Sequence, residues 1–308
     1  MWTAVTLWTA LSIALIAYVA SAAHAIARGG GVLVWIAGAF AWYFGVVVLL
    51  AAVYFAIAWI FRSPRPRELQ ITPGATLRLV WREYATLAGA APRMMFYRWL
   101  VPDPPPEPVN VPVLLLHGVL CNAGVWHRLV QHLASRGVRG VYALSYGPPL
   151  ASIELFATQV EAAIGRIVQA TGASRVIVVA HSMGGLVARA HARRYGTTRV
   201  ARIVTIGTPH HGSVDAWLAM GTSLAQIRPG SVWLAELDSA PLPAVPLVSV
   251  WSWHDSMVAP QTSARLPGSI DVPLIGIGHN ALLGDEAVFA RVEAEIAAAR
   301  AATTGGDR

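Results

Sequence analysis

The sequence contains no lysine, a single cysteine (Cys121), and charged residues at only 13% of its 308 positions. One thiol excludes an internal disulfide framework and any multi-cysteine zinc site. An average soluble domain carries ~25% charged residues, so a disordered chain or an acidic-tail protein does not fit. The net charge is +7, but all 23 basic residues are arginines spread along the chain. Nucleic-acid binding calls for basic residues clustered on one face, so no nucleic-acid partner is expected. Attraction to anionic lipid fits the excess better. Apolar residues are plentiful instead, at 55%, against roughly 45–50% in typical domains. The length allows one or two domains of ~100–200 residues.

The apolar excess is concentrated at the start. No charged side chain occurs from Trp2 to Ala27, and a second uncharged run covers residues 29–61. About 20 apolar residues cross a bilayer as a helix, and both runs are longer. Arg28 and Gly29-Gly30-Gly31 form a turn between them, and Trp2, Trp8, Trp35, Trp42 and Trp59 lie mostly toward the run ends, where interfacial tryptophans sit. The expectation is a transmembrane helical hairpin over residues 1–61. Ala23-His24-Ala25 looks like a signal-peptide cleavage site, but no basic segment precedes the first run. Arg62, Arg65 and Arg67 follow the second run while the turn holds only Arg28. The positive-inside rule then places everything after residue 61 on the cytoplasmic side.

Residues 62–111 read as a connector. Ser63-Pro64-Arg65-Pro66 ends the apolar helix, residues 77–87 have helical spacing, and residues 102–112 are proline-rich. The basic, aromatic stretch 93–100 could lie in the membrane interface or pack on the following domain as an added helix.

From residue 112 the pattern changes. Short apolar runs at 113–116, 141–144, 176–179, 203–206, 247–250 and 274–277 are bounded by turn residues, and helix-length segments separate most of them. One such segment, 153–169, places Leu155, Val160, Ile164 and Val168 on a stripe. Uniformly apolar strands alternating with helices indicate a mostly parallel sheet covered on both faces. Active sites in such sheets lie at the carboxyl ends of the strands.

Three of those ends carry chemistry. The run 176–179 leads into Ala180-His181-Ser182-Met183-Gly184-Gly185 and then directly into a helix. A serine at the apex of a strand–turn–helix, with small residues two before and two after, is the pattern of a nucleophile elbow. Acyl transfer also needs two backbone donors for the oxyanion. The amide of Met183 is one candidate, and Val119, in His117-Gly118-Val119-Leu120, is the other, with Leu120 next in line. His117 is expected to prop that loop rather than act as the base. The order serine, acid, histidine points to His279, after the last strand, in preference to His181, His191, His210 and His211. Asp255, in the loop after run 247–250, is the expected acid. Asp271 lies before the last strand and Asp238 lies in the intervening insertion.

Residues 111–300 resemble bacterial lipases and esterases of the α/β-hydrolase fold. The matching pieces are Leu115-Leu116-His117-Gly118, the Ala180–Gly185 elbow, Thr205-Ile206-Gly207-Thr208-Pro209-His210, Asp255 and Gly278-His279. The alanine at the elbow's first small position resembles the small lipases of Gram-positive bacteria. The resemblance implies hydrolysis of carboxylic esters through an acyl-serine, without a cofactor. Members with larger caps often carry a calcium between two aspartates. No convincing aspartate pair is seen here, so no metal is expected. It also implies that the apolar insertion 213–246, rich in Trp217, Leu218, Met220, Trp233 and Leu234, acts as a lid or acyl-chain pocket; the alternative is an excursion packed into the core. The expected protein is a lipase, esterase or phospholipase-like serine hydrolase of the bacterial inner (cytoplasmic) membrane, with its hydrolase domain at 112–302 and lipid or acyl esters as substrates. Two other readings stand beside it: an acyltransferase using the same acyl-serine, and a non-enzymatic scaffold.

Overall fold

A computed structural model describes residues 2–305. Two helices come first, α1 (Trp2–Ala27) and α2 (Val32–Ile60), joined by a turn in which Gly29 adopts φ +93°. At 29 residues and a mean hydropathy of 2.3, α2 extends ~43 Å at 1.5 Å per residue, beyond the ~30 Å hydrocarbon thickness. Among the described residues it is the one helix long and apolar enough to cross a membrane, where the sequence suggested two. The part of α1 over Ser12–Ala27 is apolar but shorter than the ~20 residues that a crossing needs. The helices touch through Tyr18, whose ring meets Trp35 edge-on at 5.4 Å.

The connector is helical and packed. Helix α3 (Pro73–Ala88) starts at Thr72, whose hydroxyl accepts from the Ala75 amide, with Pro73 in its first turn. Short helices α4 (Ala90–Met95) and α5 (Tyr97–Leu100) follow. Of the two readings of residues 93–100, the structure shows packing on the following domain: Asn122 Nδ2 donates to Met94 O at 2.9 Å, and His127 Nδ1 lies 3.1 Å from Leu100 O. Phe96 and Trp99 still face outward, stacked 5.5 Å apart.

The remainder alternates strand and helix: β1 (Val113–Leu116), α6 (His127–Ser135), β2 (Val141–Leu144), α7 (Ile153–Thr171), β3 (Val176–His181), α8 (Met183–Tyr195), β4 (Val200–Ile206), α9 (Thr222–Ile227), α10 (Val232–Ser239), β5 (Leu247–Ser252), β6 (Ile270–Leu274) and α11 (Glu286–Gly305). The six strands form one parallel sheet in the order β2-β1-β3-β4-β5-β6. The buried core on one face includes α7 and α8; on the other it includes α6 and α11. The chain leaves β1 toward β2 on one side and returns to β3 on the other. The switch point of the sheet therefore falls between β1 and β3, and in open parallel sheets ligands bind at the carboxyl ends of the strands at such a point.

Three details differ from the sequence reading. The last strand is Ile270–Leu274, not 274–277. It is the sheet edge and half exposed, so it lacks a uniform apolar run, and Gly276 at φ +73° turns the chain away. Asp271 therefore lies within the strand, where it accepts from Trp251 Nε1 at 2.6 Å. In α7 the buried face runs through Ile153, Phe156, Ala157, Val160 and Ile164, while Leu155 is 43% exposed. The insertion 213–246 is a 3₁₀ turn, Val214–Trp217, followed by α9 and α10. Leu224, Ile227, Leu234 and Leu237 are buried in the core, whereas Trp217, Leu218 and Met220 are exposed.

Candidate active site

Ser182 sits between β3 and α8 with φ +56° and ψ −129°. A serine pays roughly 1–3 kcal/mol to occupy such a region, and the surroundings must enforce it. Here the Ser182 amide donates to Ile206 O at 2.9 Å, locking the turn onto the end of β4. A Cβ at position 184 would lie 2.5 Å from Leu116 O and 2.8 Å from His117 O, so only glycine fits. This crowding is the physical reason for the small residue two after the serine.

The loop after β1 runs against Ser182. A Cβ at position 118 would come within 2.9 Å of Ser182 Cβ and 3.4 Å of its Oγ. Val119, Leu120 and Met183 share the lining of one small cavity of about 10 Å³ beside the serine loop. Leu120 has φ +55°. The first N–H groups of α8 have no partners within the helix, and its dipole presents a partial positive charge there. His117 is buried, stacks on Tyr146 at 4.0 Å, and its Nε2 accepts from the Tyr146 amide at 3.3 Å. Burial lowers its pKa to about 4, so it supports this loop as a neutral ring.

Asp255 and His279 meet in the interior. His279 Nδ1 lies 2.9 Å from Asp255 Oδ2, and both residues are nearly fully buried. The other carboxylate oxygen, Oδ1, accepts the amides of Met257 and Val258 at 2.8 Å each, so the acid's own turn fixes its orientation. Burial alone would lower the His279 pKa. The charge and hydrogen bond of Asp255, with the charges of Glu83 and Asp215, outweigh it and raise the pKa. Gly207 passes beside the pair: a Cβ there would stand 3.2 Å from Asp255 Oδ2 and 3.3 Å from His279 Nδ1. The His181 ring, next to Ser182 in sequence, lies 4.6 Å from the His279 ring, with its Nε2 3.2 Å from His279 O. Among the described residues Ser182 Oγ forms no hydrogen bond.

The other polar residues weighed earlier lie elsewhere. His191 pairs with Glu161 at 2.8 Å, His210 contacts Thr205 Oγ1 at 3.2 Å, and Asp238 pairs with Arg189 and His211. Two carboxylates that the sequence did not single out do face the site. Asp215 lies within electrostatic reach of Asp255 and His279, its carboxylate oxygens buried without hydrogen-bond partners among the described residues; burial, with Asp255's like charge adding, raises its pKa to about 7. Glu83 reaches both catalytic loops from α3. Nothing local marks either residue, because their partners are remote in the chain.

With this geometry established, the relatives can be compared. The profile of the family described as alpha/beta hydrolase fold matches residues 111–284, more than half of the chain. The chain belongs to that family. It is similar to a triacylglycerol lipase of Pseudarthrobacter phenanthrenivorans, 31% identical over 115 residues, covering 33% of this chain and 34% of the relative. A triacylglycerol lipase of Burkholderia plantarii is likewise 31% identical over 115 residues, covering 33% of this chain and 30% of the relative. The chain thus spans about a third of the length of these curated relatives. Among solved structures, the mature Bacillus licheniformis lipase BlEst2 superposes with a TM-score of 0.54 at 19% identity, covering 62% of this chain and 95% of that one. Aspergillus fumigatus lipase B gives 0.52 at 24% identity, covering 59% and 51%. At these identities the structures speak for the fold alone.

Proposed function

We propose that the protein is a membrane-anchored serine hydrolase that cleaves carboxylic esters of lipid-like substrates. The observation that carries this reading is a buried Asp255–His279 pair, 2.9 Å apart, beside a serine in the strained strand–turn–helix conformation. Ser182 Oγ attacks the ester carbonyl carbon while His279 Nε2 takes its proton. Asp255 holds the imidazole with Nδ1–H toward the carboxylate and stabilises the imidazolium. The amides of Met183 and Val119, with Leu120 adjacent, receive the oxyanion. Collapse expels the alcohol, which takes the proton back from His279 and leaves an acyl-serine. Water, deprotonated by His279, then attacks the acyl carbon and releases the acid, regenerating Ser182. No metal or cofactor enters these steps.

The two triacylglycerol lipases among the relatives support acyl esters as the substrate class. Helix α2 supports an anchor, with α1 packed along it as the other arm of a hairpin. Arg62, Arg65 and Arg67 favour the cytoplasmic side of a bacterial inner membrane for the hydrolase domain. The exposed side chains of Trp217, Leu218 and Met220 suit a lid over an acyl pocket. The test is covalent. A fluorophosphonate should label the wild type at Ser182, and Ser182→Ala and His279→Ala should each lower ester turnover by several orders of magnitude. Full activity in folded Ser182→Ala refutes the mechanism.

A further inference from the structure

We propose that Glu83, on the helix leading out of the apolar α2, is a positioning residue of this hydrolase: its carboxylate clamps the loop carrying His279 and, through Ser256, the loop carrying Asp255. The inference rests on the triad reading above. Glu83 is 1% exposed, on the inner face of α3 one turn after buried Leu79, while Leu77 and Trp81 face outward. An acidic side chain buried this deeply is retained only where donors surround it, and four do. Glu83 Oε1 accepts from Ser256 Oγ at 2.7 Å, the Asn280 amide at 3.0 Å and Asn280 Nδ2 at 2.9 Å. Oε2 accepts from the Ala281 amide at 2.9 Å. All four groups donate, which suits an ionised carboxylate acting only as an acceptor.

These donors bracket the catalytic groups. Ser256 follows Asp255 directly, and its Oγ also accepts the His279 amide at 3.2 Å. Asn280 and Ala281 follow His279. On the other side, a Cβ at position 278 would stand 2.5 Å from Glu83 Oε2, so Gly278 lets the carboxylate lie against the backbone. The two residues that follow the base are thus tied to one side chain, which also packs against Gly278 before it. A second tie to the N-terminal segment runs beside it: Gln261 Nε2 donates to Asp255 O at 3.1 Å and Ala58 O at 3.3 Å, while its Oε1 accepts the Ser63 amide at 3.0 Å.

Glu83 therefore has two effects that can be measured separately. It fixes the position of the imidazole, and its negative charge helps His279 hold a proton. The other ionisable groups near the imidazole are Asp255, Asp215 and His181. Asp215, whose pKa is raised to about 7, adds to the charge acting on His279, so the comparison is made in wild-type and Asp215→Asn backgrounds.

The experiment measures kcat and KM against pH for the full-length protein in detergent, with a short soluble p-nitrophenyl ester. Glu83→Gln, Glu83→Asp, Ser256→Ala and Ser182→Ala are compared with wild type, and folding is followed by thermal unfolding. Displacing a catalytic group by about an ångström costs about 10²-fold, so Glu83→Gln should lose about that factor in kcat with KM little changed. Its acid limb should move to lower pH. Glu83→Asp keeps the charge and should keep the limb while losing kcat. Ser256→Ala should lower kcat without moving the limb. Wild-type kcat and an unmoved limb in folded Glu83→Gln overturn the proposal. If Glu83→Gln does not fold, wild-type kcat in folded Ser256→Ala overturns it. Activity surviving in Ser182→Ala would instead overturn the triad reading; an inactive Ser182→Ala beside unaffected Glu83 variants overturns this inference alone.

Discussion

Replacing Asp255 by asparagine separates the chemistry of the acid from its place in the fold. The two carboxylate oxygens have different duties. Oδ1 accepts the Met257 and Val258 amides at 2.8 Å each, and Oδ2 faces His279 Nδ1 at 2.9 Å. An asparagine keeps the first contact only by placing its carbonyl toward the two amides. Its NH₂ then points at His279 and donates to Nδ1, so the ring proton moves to Nε2 and the base can no longer accept from Ser182. A triad held in the wrong tautomer loses about 10⁴-fold in kcat, or about 5 kcal/mol of transition-state stabilisation at 1.36 kcal/mol per tenfold. Folding should survive. Asp255→Ala, by contrast, leaves two buried amides without acceptors, at about 1–3 kcal/mol each.

The sign of the pH effect follows from the same contact. The His279 pKa is raised in the wild type, and Asp255's charge is the main upward influence. The base works unprotonated, so activity falls as pH drops through that raised value. Asp255→Asn removes the charge, and its residual activity should persist to lower pH. The assay is kcat/KM for a short ester from pH 5 to 9, with thermal unfolding of wild type, Asp255→Asn and Asp255→Ala. The reasoning fails if Asp255→Asn retains turnover within tenfold of wild type, or if its acid limb moves upward.

Two further outcomes are expected. Trp217→Ser and Met220→Ser, which alter exposed side chains of the insertion, should leave folding and short-ester turnover intact and reduce hydrolysis of long acyl esters; buried Leu234→Ser should instead destabilise the fold by roughly 1.5–3 kcal/mol or more, and equal loss on both ester lengths in a folded Trp217→Ser would refute a lid. A reporter fused after Arg308 should be active only in the form that works in the cytoplasm, and periplasmic phosphatase activity from the same fusion would overturn the orientation.

The fold was legible where burial on both faces made strands uniformly apolar. Run 113–116 matches β1, buried at all four positions; run 141–144 matches β2, which is apolar although it lies at the other edge of the sheet. The edge strand β6 was misplaced because one-sided exposure puts Asp271 and Pro273 among its apolar residues, while 274–277 only looks like a strand. The stripe in α7 was partly misassigned because apolar residues such as Leu155 also occur on its outer face, and spacing alone does not choose between faces. Ser182, Asp255 and His279 stand out as candidates because strand ends are landmarks in a parallel sheet, and the structure places Asp255 and His279 in contact. Residues 93–100 remained ambiguous because aromatic and basic residues serve a lipid interface and a packed helix equally well. Glu83 left no local signal at all: its partners lie 173 to 198 residues away, and only the tertiary structure brings them together.

That distance bears on what the family resemblance can reveal. The family match begins at residue 111, so it takes in Ser182, Asp255 and His279 but not the groups that α2 and α3 add to the loops holding the last two. A tethered catalytic domain would need only a linker between helix and sheet. Here the last turn of α2 accepts from Gln261, which also holds the Asp255 backbone, and Glu83 is buried behind His279. The donors on Ser256, Asn280 and Ala281 would lose their acceptor if α3 moved away, and an unmet buried donor costs about 1–3 kcal/mol. The N-terminal segment is thus hydrogen-bonded to the loops that carry Asp255 and His279, and a change that shifts α3 is expected to alter the support of both residues.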